Sequence, residues 1–228
     1  MCRMIAVVSR EPVAAGPFLQ ELAVQSKNGE QAPHGDGFGA AIFTGSHWLH
    51  VREQCPAWDV SLSALGTIEG KLMLLHSRKA SDPTTINLTK LHPFCRAGRG
   101  PGVMFCQNGT IRQHERMRTR LDGTAIDSEK YFDVVMRHYE ASGDFGKAFL
   151  GSAEEIKSCG ADPTSLNAYL SDGKELVAYK GDILAENCCY HTLFVKEDPV
   201  MSVVSTEPFD DTDKGRWLPV EGVYRRSF

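Results

Sequence analysis

The chain has 228 residues, of which 42% are hydrophobic and 24% are charged, and its formal net charge is −4. This length can bury a sizeable core, and the slightly acidic balance excludes the strongly basic face of a nucleic-acid-binding protein. No run approaches the roughly 18 apolar residues that mark a membrane-spanning helix. We therefore expect neither a nucleic-acid partner nor a membrane partner.

The amino-terminal segment does not resemble a targeting signal. The apolar stretch 4–8 is short for a signal-peptide core, and Arg10 and Glu11 follow where small cleavage-site residues would stand. The seven cysteines are odd in number and irregularly spaced, which is typical of reduced thiols. We predict a cytoplasmic protein, and we treat 1–228 as a single domain because neither a linker nor an internal repeat divides it.

Hydrophobic patterning predicts the elements of the first half of the chain. In order, these are a buried strand at 4–9, a helix at 18–27, strands at 38–44 and 48–52 joined by a turn at Gly45-Ser46, a short helix at 58–65 and a buried strand at 72–76. The segment 77–101 reads as a long loop, and long loops in compact domains tend to be functional.

The second half predicts a β-hairpin, two helices and further strands. The hairpin consists of 102–106 and 110–113 with a type I′ turn at Asn108-Gly109. Helices beginning at Asp127 and spanning 145–158 follow, and the remaining predicted strands are 166–171, 176–179, 190–195 and 201–205. Strands, paired helices and more strands favour an α+β fold with two stacked antiparallel sheets and helices outside, rather than a doubly wound parallel sheet.

Cys2 is the most informative single residue. Methionine is normally excised before a small second residue, and removal of Met1 would leave a thiol and a free α-amine on one residue. An α-amine has a reference pKa of roughly 7.7–8.0, so it can accept the thiol proton near neutral pH. By position alone, however, a second-position cysteine without catalytic function is the commoner case.

Three further elements each allow a structural and a functional interpretation. Arg78 ends a hydrophobic strand and could either be a surface cation or grip a carboxylate with its planar fork. Asn108-Gly109 could simply form a turn or could supply amide donors to an oxyanion. Asp127 could cap the helix that follows or offer a carboxylate to a substrate ammonium group.

Taken together, these elements resemble the glutaminase domain of class II glutamine amidotransferases, which are N-terminal nucleophile hydrolases. The resemblance rests on an ordered series of motifs: Met1-Cys2-Arg3, His34-Gly35-Asp36-Gly37-Phe38-Gly39, His76-Ser77-Arg78-Lys79-Ala80, His92-Pro93-Phe94, Gln107-Asn108-Gly109, Asp127-Ser128-Glu129 and Ser205-Thr206-Glu207-Pro208, with Trp217 and Pro219 beyond. Each motif alone is weakly specific, but their common order spans nearly the whole chain.

The resemblance implies a four-layer αββα sandwich and hydrolysis of a γ-glutamyl amide through a thioester. Cys2 would be the nucleophile and, through its α-amine, the base, while Asn108 and Gly109 would form the oxyanion hole. Arg78 would bind the substrate α-carboxylate and Asp127 its α-ammonium group. His76 and His92 are also expected at the substrate site. No cofactor and no metal are implied.

Two departures from the family pattern concern the leaving group. Arg3 stands where the large amidotransferases usually have glycine, and Lys79-Ala80-Ser81 replaces their Trp-x-Thr-His stretch. The Met-Cys-Arg start resembles the small, stand-alone members, some of which cleave γ-glutamyl peptides. The substrate is thus expected to be glutamine or a γ-glutamyl peptide, and a synthase subunit would be needed as partner if ammonia is transferred. Arg96 and Arg99 could bind an anionic leaving group or be solvated.

Two alternatives from other functional classes remain open at this stage. One is a metal-holding or ligand-binding module, for which Cys188-Cys189-x-His191 is the best support, although adjacent cysteines rarely chelate one zinc ion. Buried cysteines in a strand explain that pattern better. The other is a catalytically inactive family member that acts as a subunit of a larger complex.

Overall fold

The structure is a computed structural model, and it describes residues 2–98, 100–181, 191–209 and 216–228. The strands are β1 (Arg3–Ala14), β2 (Phe38–Phe43), β3 (Trp48–Glu53), β4 (Glu69–Ser77), β5 (Phe94–Arg96), β6 (Val103–Asn108), β7 (Ile111–Arg112), β8 (Asp162–Pro163), β9 (Asn167–Ser171), β10 (Glu175–Lys180), β11 (Phe194–Glu197), β12 (Met201–Ser205), β13 (Leu218–Pro219) and β14 (Gly222–Ser227). The helices are α1 (Gly16–Asn28), α2 (Leu62–Gly66), α3 (Asp127–Ser142) and α4 (Phe145–Ser158).

Two antiparallel sheets form the centre of the fold. The larger has the strand order β13-β11-β12-β1-β4-β2-β3, and the smaller has the order β14-β10-β9-β6-β5. β1 therefore lies in the middle of the larger sheet, paired with β12 on one side and with β4 on the other. This central position anchors the residue that precedes β1, which is Cys2.

Alternation along β1 explains why the sheets can stack. Met4, Ala6 and Val8 face the smaller sheet and belong to the apolar layer between the sheets. Ile5 and Val7 point the other way, into the layer under α1 and α2. A third apolar layer lies between the smaller sheet and the α3–α4 pair. The result is the αββα order of layers, which confirms the predicted fold class.

Most predicted elements are confirmed, with shifted ends. β1 extends beyond the predicted strand to Ala14 through an irregularity between Val8 and Val13. The helix predicted at 58–65 begins only at Leu62. The loop 77–101 contains two short 3₁₀ helices and β5. The strand predicted at 190–195 begins at Phe194, and its predicted first residue, Tyr190, lies outside the described residues.

The hairpin predicted around Asn108-Gly109 is wrong. β6 pairs with β5 and β9, whereas β7 turns away and pairs with β8. Gly109 lies outside the left-handed region that a type I′ turn requires. Its lack of a Cβ serves another purpose, because a Cβ there would overlap the carbonyl group of Ser165.

Within the part of the chain that the structure describes, no helix is long and apolar enough to cross a membrane.

Candidate active site

The site lies at one end of the layer between the two sheets, and strand pairing explains how distant motifs meet there. β1 and β4 are antiparallel with Arg3 opposite Ser77, so the start of β1 lies beside the end of β4. Cys2 directly precedes β1, and Arg78 directly follows β4. The end of β6 in the facing sheet brings Asn108 to the same place, where its side chain contacts Cys2.

Asn108 holds the backbone of Cys2. The Cys2 nitrogen donates to Asn108 Oδ1 at 3.0 Å, and both residues are buried. The Asn108 Nδ2 group is buried and has no hydrogen-bond partner among the described residues. An unsatisfied buried donor is costly, and this one is available to an acceptor on a bound molecule. The geometry suits an amide that steadies the nucleophile with its oxygen and stabilises an oxyanion with its nitrogen.

The Cys2 thiol is buried as well. Among the described residues, its only hydrogen-bond partner is the Lys79 carbonyl oxygen, 3.9 Å from Sγ. Burial raises the pKa of the Cys2 thiol, and the Arg78 charge acts in the opposite direction. A thiol with a raised pKa is protonated near neutral pH and needs a nearby base before it can act as a nucleophile.

The side chain of Arg78 is held in place by Thr85. Its Nη1 group donates to the Thr85 carbonyl oxygen at 2.8 Å and its Nη2 group donates to Thr85 Oγ1 at 2.7 Å. The backbone around Arg78 is held in turn by Asp36 and Gly37, through bonds of 2.9 and 2.8 Å. Thr85 was not singled out from the sequence, because nothing in the loop 77–101 marks one threonine as the partner of Arg78.

Asp127 stands at the start of α3 with its carboxylate partly satisfied. Oδ2 accepts from the Ile111 nitrogen at 2.7 Å, and Oδ1 accepts from the Ser128 nitrogen at 2.8 Å. The residue preceding the helix is Ile126, whose nitrogen donates to Glu129 at 2.9 Å. Asp127 is therefore the first residue of the helix and not its N-cap, so a cap alone does not account for it.

Arg78 and Asp127 line one cavity of about 340 Å³. The remaining walls come from 81–85 on one side and from 110–114 and 123–126 on the other. A cation and an anion in one cavity match the two charges of an amino-acid head group. Cys2, Asn108, His76 and His92 do not belong to the lining of this cavity.

The two histidines predicted at the substrate site are buried in contact with each other. The ring centroids of His76 and His92 are 4.2 Å apart with the rings tilted by 32°, and the His92 ring also contacts Phe94 at 4.3 Å. His76 Nε2 lies 3.3 Å from the Gln107 carbonyl oxygen, in the peptide that leads into Asn108. The structure thus brings His76 to the backbone that carries Asn108.

Glycines of the His34-to-Gly39 motif allow this tight packing. A Cβ at Gly39 would overlap the His92 carbonyl group, and Gly37 has a φ of +144° that disfavours other residues. His34 itself is fully buried, accepts a 2.8 Å bond from Ser77 Oγ at its carbonyl oxygen, and has Nδ1 3.3 Å from the Ser26 carbonyl oxygen.

Burial makes the stability of the fold sensitive to mild acid. It lowers the pKa of His34 and that of His76 to about 3, well below the ordinary 6.5. As pH falls below about 6.5, the unfolded chain takes up protons that the folded chain cannot, so the free energy of unfolding decreases by up to about 1.4 kcal/mol per pH unit for each histidine. Between pH 7 and pH 5, the free energy of unfolding of His34→Gln should therefore decrease by roughly 1–2 kcal/mol less than that of wild type. Urea denaturation at the two pH values measures this difference.

The control for this prediction is His47→Gln, which removes an exposed histidine from the turn between β2 and β3. Equal slopes for wild type and His34→Gln would contradict the assignment of the acid sensitivity to the buried ring.

The other sequence interpretations concern Arg96, Arg99 and the cysteine pair. Arg96 Nη2 is 2.7 Å from Asp133 Oδ1, so this arginine forms an ion pair with α3. Arg99, Cys188 and Cys189 lie outside the described residues. Among those that are described, no group of three or more His, Cys, Asp or Glu side chains could hold a metal ion.

Several solved structures share this fold. Glutamine phosphoribosylpyrophosphate amidotransferase from B. subtilis, solved with ADP and GMP, superposes with a TM-score of 0.65 at 15% identity over 99% of this chain. A protein described as a predicted glutamine amidotransferase from Pseudomonas aeruginosa PA01 gives 0.65 at 16% identity, covering 99% of this chain and 97% of its own. A glutamine aminotransferase class-II domain protein from Silicibacter pomeroyi gives 0.62 at 20% identity, covering 100% and 98%.

The sequence model of the family described as glutamine amidotransferases class-II matches residues 1–221, and the chain belongs to that family. This confirms the resemblance inferred from the motifs. The chain spans about half of the B. subtilis enzyme, with 49% of that chain covered. A comparison with curated proteins returns no match. Membership of the family supports hydrolysis or transfer of the glutamine amide as the general activity.

Proposed function

We propose that this protein hydrolyses a γ-glutamyl amide bond, in glutamine or in a γ-glutamyl compound, through a thioester on Cys2. The observation that carries the proposal is the two-sided contact of Asn108. Its Oδ1 atom holds the Cys2 nitrogen at 3.0 Å, while its buried Nδ2 group lacks a partner among the described residues.

The chemistry begins with removal of Met1, which converts the Cys2 nitrogen into an α-amine. That amine, held by Asn108, accepts the proton of the thiol, whose pKa burial has raised. The thiolate attacks the γ-carbonyl carbon, and the oxyanion that develops is stabilised by Asn108 Nδ2 and the backbone amide of Gly109. The amine then protonates the leaving nitrogen, and the C–N bond breaks to give the γ-glutamyl thioester. Water, activated by the same amine, releases glutamate and restores the thiol.

The cavity beside this chemistry supplies binding of the glutamyl head group. Arg78, held by Thr85, would bind the α-carboxylate, and Asp127 would bind the α-ammonium group. Fixing both charges orients the side chain of the substrate so that its γ-carbonyl group can reach the thiol. A single domain over 1–228 and a cytoplasmic location remain part of this proposal. A synthase subunit would be required only if released ammonia is transferred.

Arg78→Lys should weaken substrate binding while leaving the chemical step nearly intact. Lysine keeps the charge but cannot bond Thr85 and a carboxylate with one planar fork. A charged hydrogen bond lost on binding corresponds to roughly a 10- to 100-fold increase in KM. Initial-rate kinetics of glutamate release measure it, with the exposed Arg10→Lys as control. An unchanged KM would remove Arg78 from the carboxylate site.

The decisive experiment compares substrates. Protein whose intact mass confirms loss of Met1 is incubated with glutamine and with a panel of γ-glutamyl peptides, and glutamate release is measured. Release from either kind of substrate supports the proposal, and the preferred one identifies the leaving amine. No release from any of them, with Cys2 confirmed at the terminus, would contradict it and favour an inactive or ligand-binding member of the family.

A further inference from the structure

The residue directly after the nucleophile is a fully buried arginine. Arg3 has none of its surface exposed, and its side chain points away from Cys2, into the layer beneath the larger sheet. There its guanidinium group forms an ion pair with Glu207 and donates to the Glu30 carbonyl oxygen. A buried charge is costly unless it is paired and hydrogen-bonded, so the position of Arg3 is strongly determined by these two partners.

The partners of Arg3 are themselves linked to each other. Glu207 Oε1 accepts from the Glu30 nitrogen at 2.7 Å, which closes a ring of three contacts. Gly29 leaves room for this arrangement, because a Cβ there would lie 2.6 Å from Glu207 Oε2. Next to Glu207, Thr206 exchanges bonds with Met4, with the Met4 nitrogen 3.2 Å from Thr206 Oγ1.

The turn that follows α1 also reaches the other side of the nucleophile. Lys79 Nζ donates to the Gln31 carbonyl oxygen at 2.6 Å, and the Lys79 carbonyl oxygen is the group 3.9 Å from the Cys2 thiol. Arg78 precedes Lys79 directly. Two residues therefore bond to the turn 29–31. One is Arg3, which directly follows Cys2, and the other is Lys79, which directly follows Arg78.

We propose that Arg3 and Glu207 are positioning residues for the reaction: the ion pair between the buried Arg3 and the partly exposed Glu207 holds the Cys2 backbone, and through the turn 29–31 the Lys79 backbone, so that the thiol stays aligned with Asn108. This inference rests on the proposed function. The pair touches neither the thiol nor the cavity that Arg78 and Asp127 line, so it acts only through the backbone.

Conservative variants separate positioning from simple stabilisation. Arg3→Lys keeps the charge but cannot reach Glu207 and Glu30 with a rigid fork, and Glu207→Asp shortens the partner by one methylene group. Because displacement of a reacting group by about 1 Å can cost about 100-fold in rate, we expect kcat to fall roughly 10- to 100-fold with KM little changed. Arg225→Lys, in an exposed ion pair with Glu175 on the far side of the smaller sheet, should keep wild-type kinetics.

A double variant tests whether the charges matter only for stability. Arg3→Met together with Glu207→Leu removes both charges and leaves apolar groups, a change that often restores the stability lost when one partner alone is removed. This variant should have a higher melting temperature than Glu207→Gln. If Arg3 and Glu207 position Cys2, its kcat should still be reduced. Should it fail to fold, the two conservative variants decide the question.

A second measurement does not depend on turnover. The rate at which iodoacetamide alkylates Cys2, followed by intact mass on protein lacking Met1, should change several-fold in Arg3→Lys and not in Arg225→Lys. Wild-type kcat and alkylation rate in folded Arg3→Lys, Glu207→Asp or the double variant would overturn the positioning role. Absence of glutamate release by the wild-type protein would instead contradict the proposed function.

Discussion

Cys2→Ala is expected to abolish glutamate release, to below the detection limit of a coupled assay. Alanine leaves the backbone nitrogen and its bond to Asn108 in place, so the loss reports the missing thiol and not a displaced terminus. Cys2→Ser should retain only weak activity, because a hydroxyl is far harder to deprotonate than a thiol. The measurement is single-turnover and steady-state glutamate release by protein lacking Met1.

The matched control for this experiment is Cys55→Ala. Cys55 is a partly exposed free thiol in the segment before α2, and its replacement should leave kcat and KM unchanged. Thermal unfolding of Cys2→Ala should remain within a few degrees of wild type, since only one sulfur atom is lost. Glutamate release that persists in a folded Cys2→Ala variant would eliminate the nucleophile assigned here.

Asn108→Ala is expected to reduce kcat by roughly 10²- to 10³-fold, the usual cost of removing one oxyanion-hole donor. Its Nδ2 group, which has no hydrogen-bond partner among the described residues, is buried near Cys2, where water cannot replace it easily. KM should change less, because the donor is needed most when the charge on oxygen develops in the transition state. Pre-steady-state measurement of thioester formation would place the defect in the acylation step.

Asn108→Asp separates the two contacts of this side chain. Aspartate keeps an oxygen for the Cys2 nitrogen but loses the donor, and it adds a negative charge that opposes an oxyanion. Its kcat should therefore be at least as low as that of Asn108→Ala. Asn28→Ala, at the exposed end of α1, serves as the control. Near wild-type activity in Asn108→Asp would show that the amide donor is not used.

The same arrangement accounts for the departure at residue 3. Where the large relatives usually have glycine, this chain must bury a guanidinium group, and it does so with Glu207 from the segment after β12 and with the turn after α1. Both partners come from parts of the chain distant in sequence. A substitution at Glu207 is therefore expected to act on Cys2 although the two residues are more than 200 positions apart.

Several features of the protein could be predicted from the sequence because their causes are local. The short continuous apolar run in β1 and the helical spacing in α3 and α4 determine the type of each element. The chemistry of the side chains in four motifs can be recognised from residue type alone. These are the motifs around Cys2, Arg78, Asn108 and Asp127. The order of strands and helices was enough to favour two stacked antiparallel sheets with helices outside, which the structure confirms.

Tertiary structure alone decided which groups meet. Asn108-Gly109 is a strong local signal for a hairpin, yet β6 pairs with β5 and β9, because burying both faces of the smaller sheet outweighs the preference of two turn residues. Thr85 carries no signal in the sequence, and the motif that contains Glu207 does not indicate its pairing with Arg3, since any threonine or glutamate has the same chemistry until the fold places it beside a particular cation. The local sequence determined which reactive and charged groups the chain carries, and long-range packing determined which of them lie together.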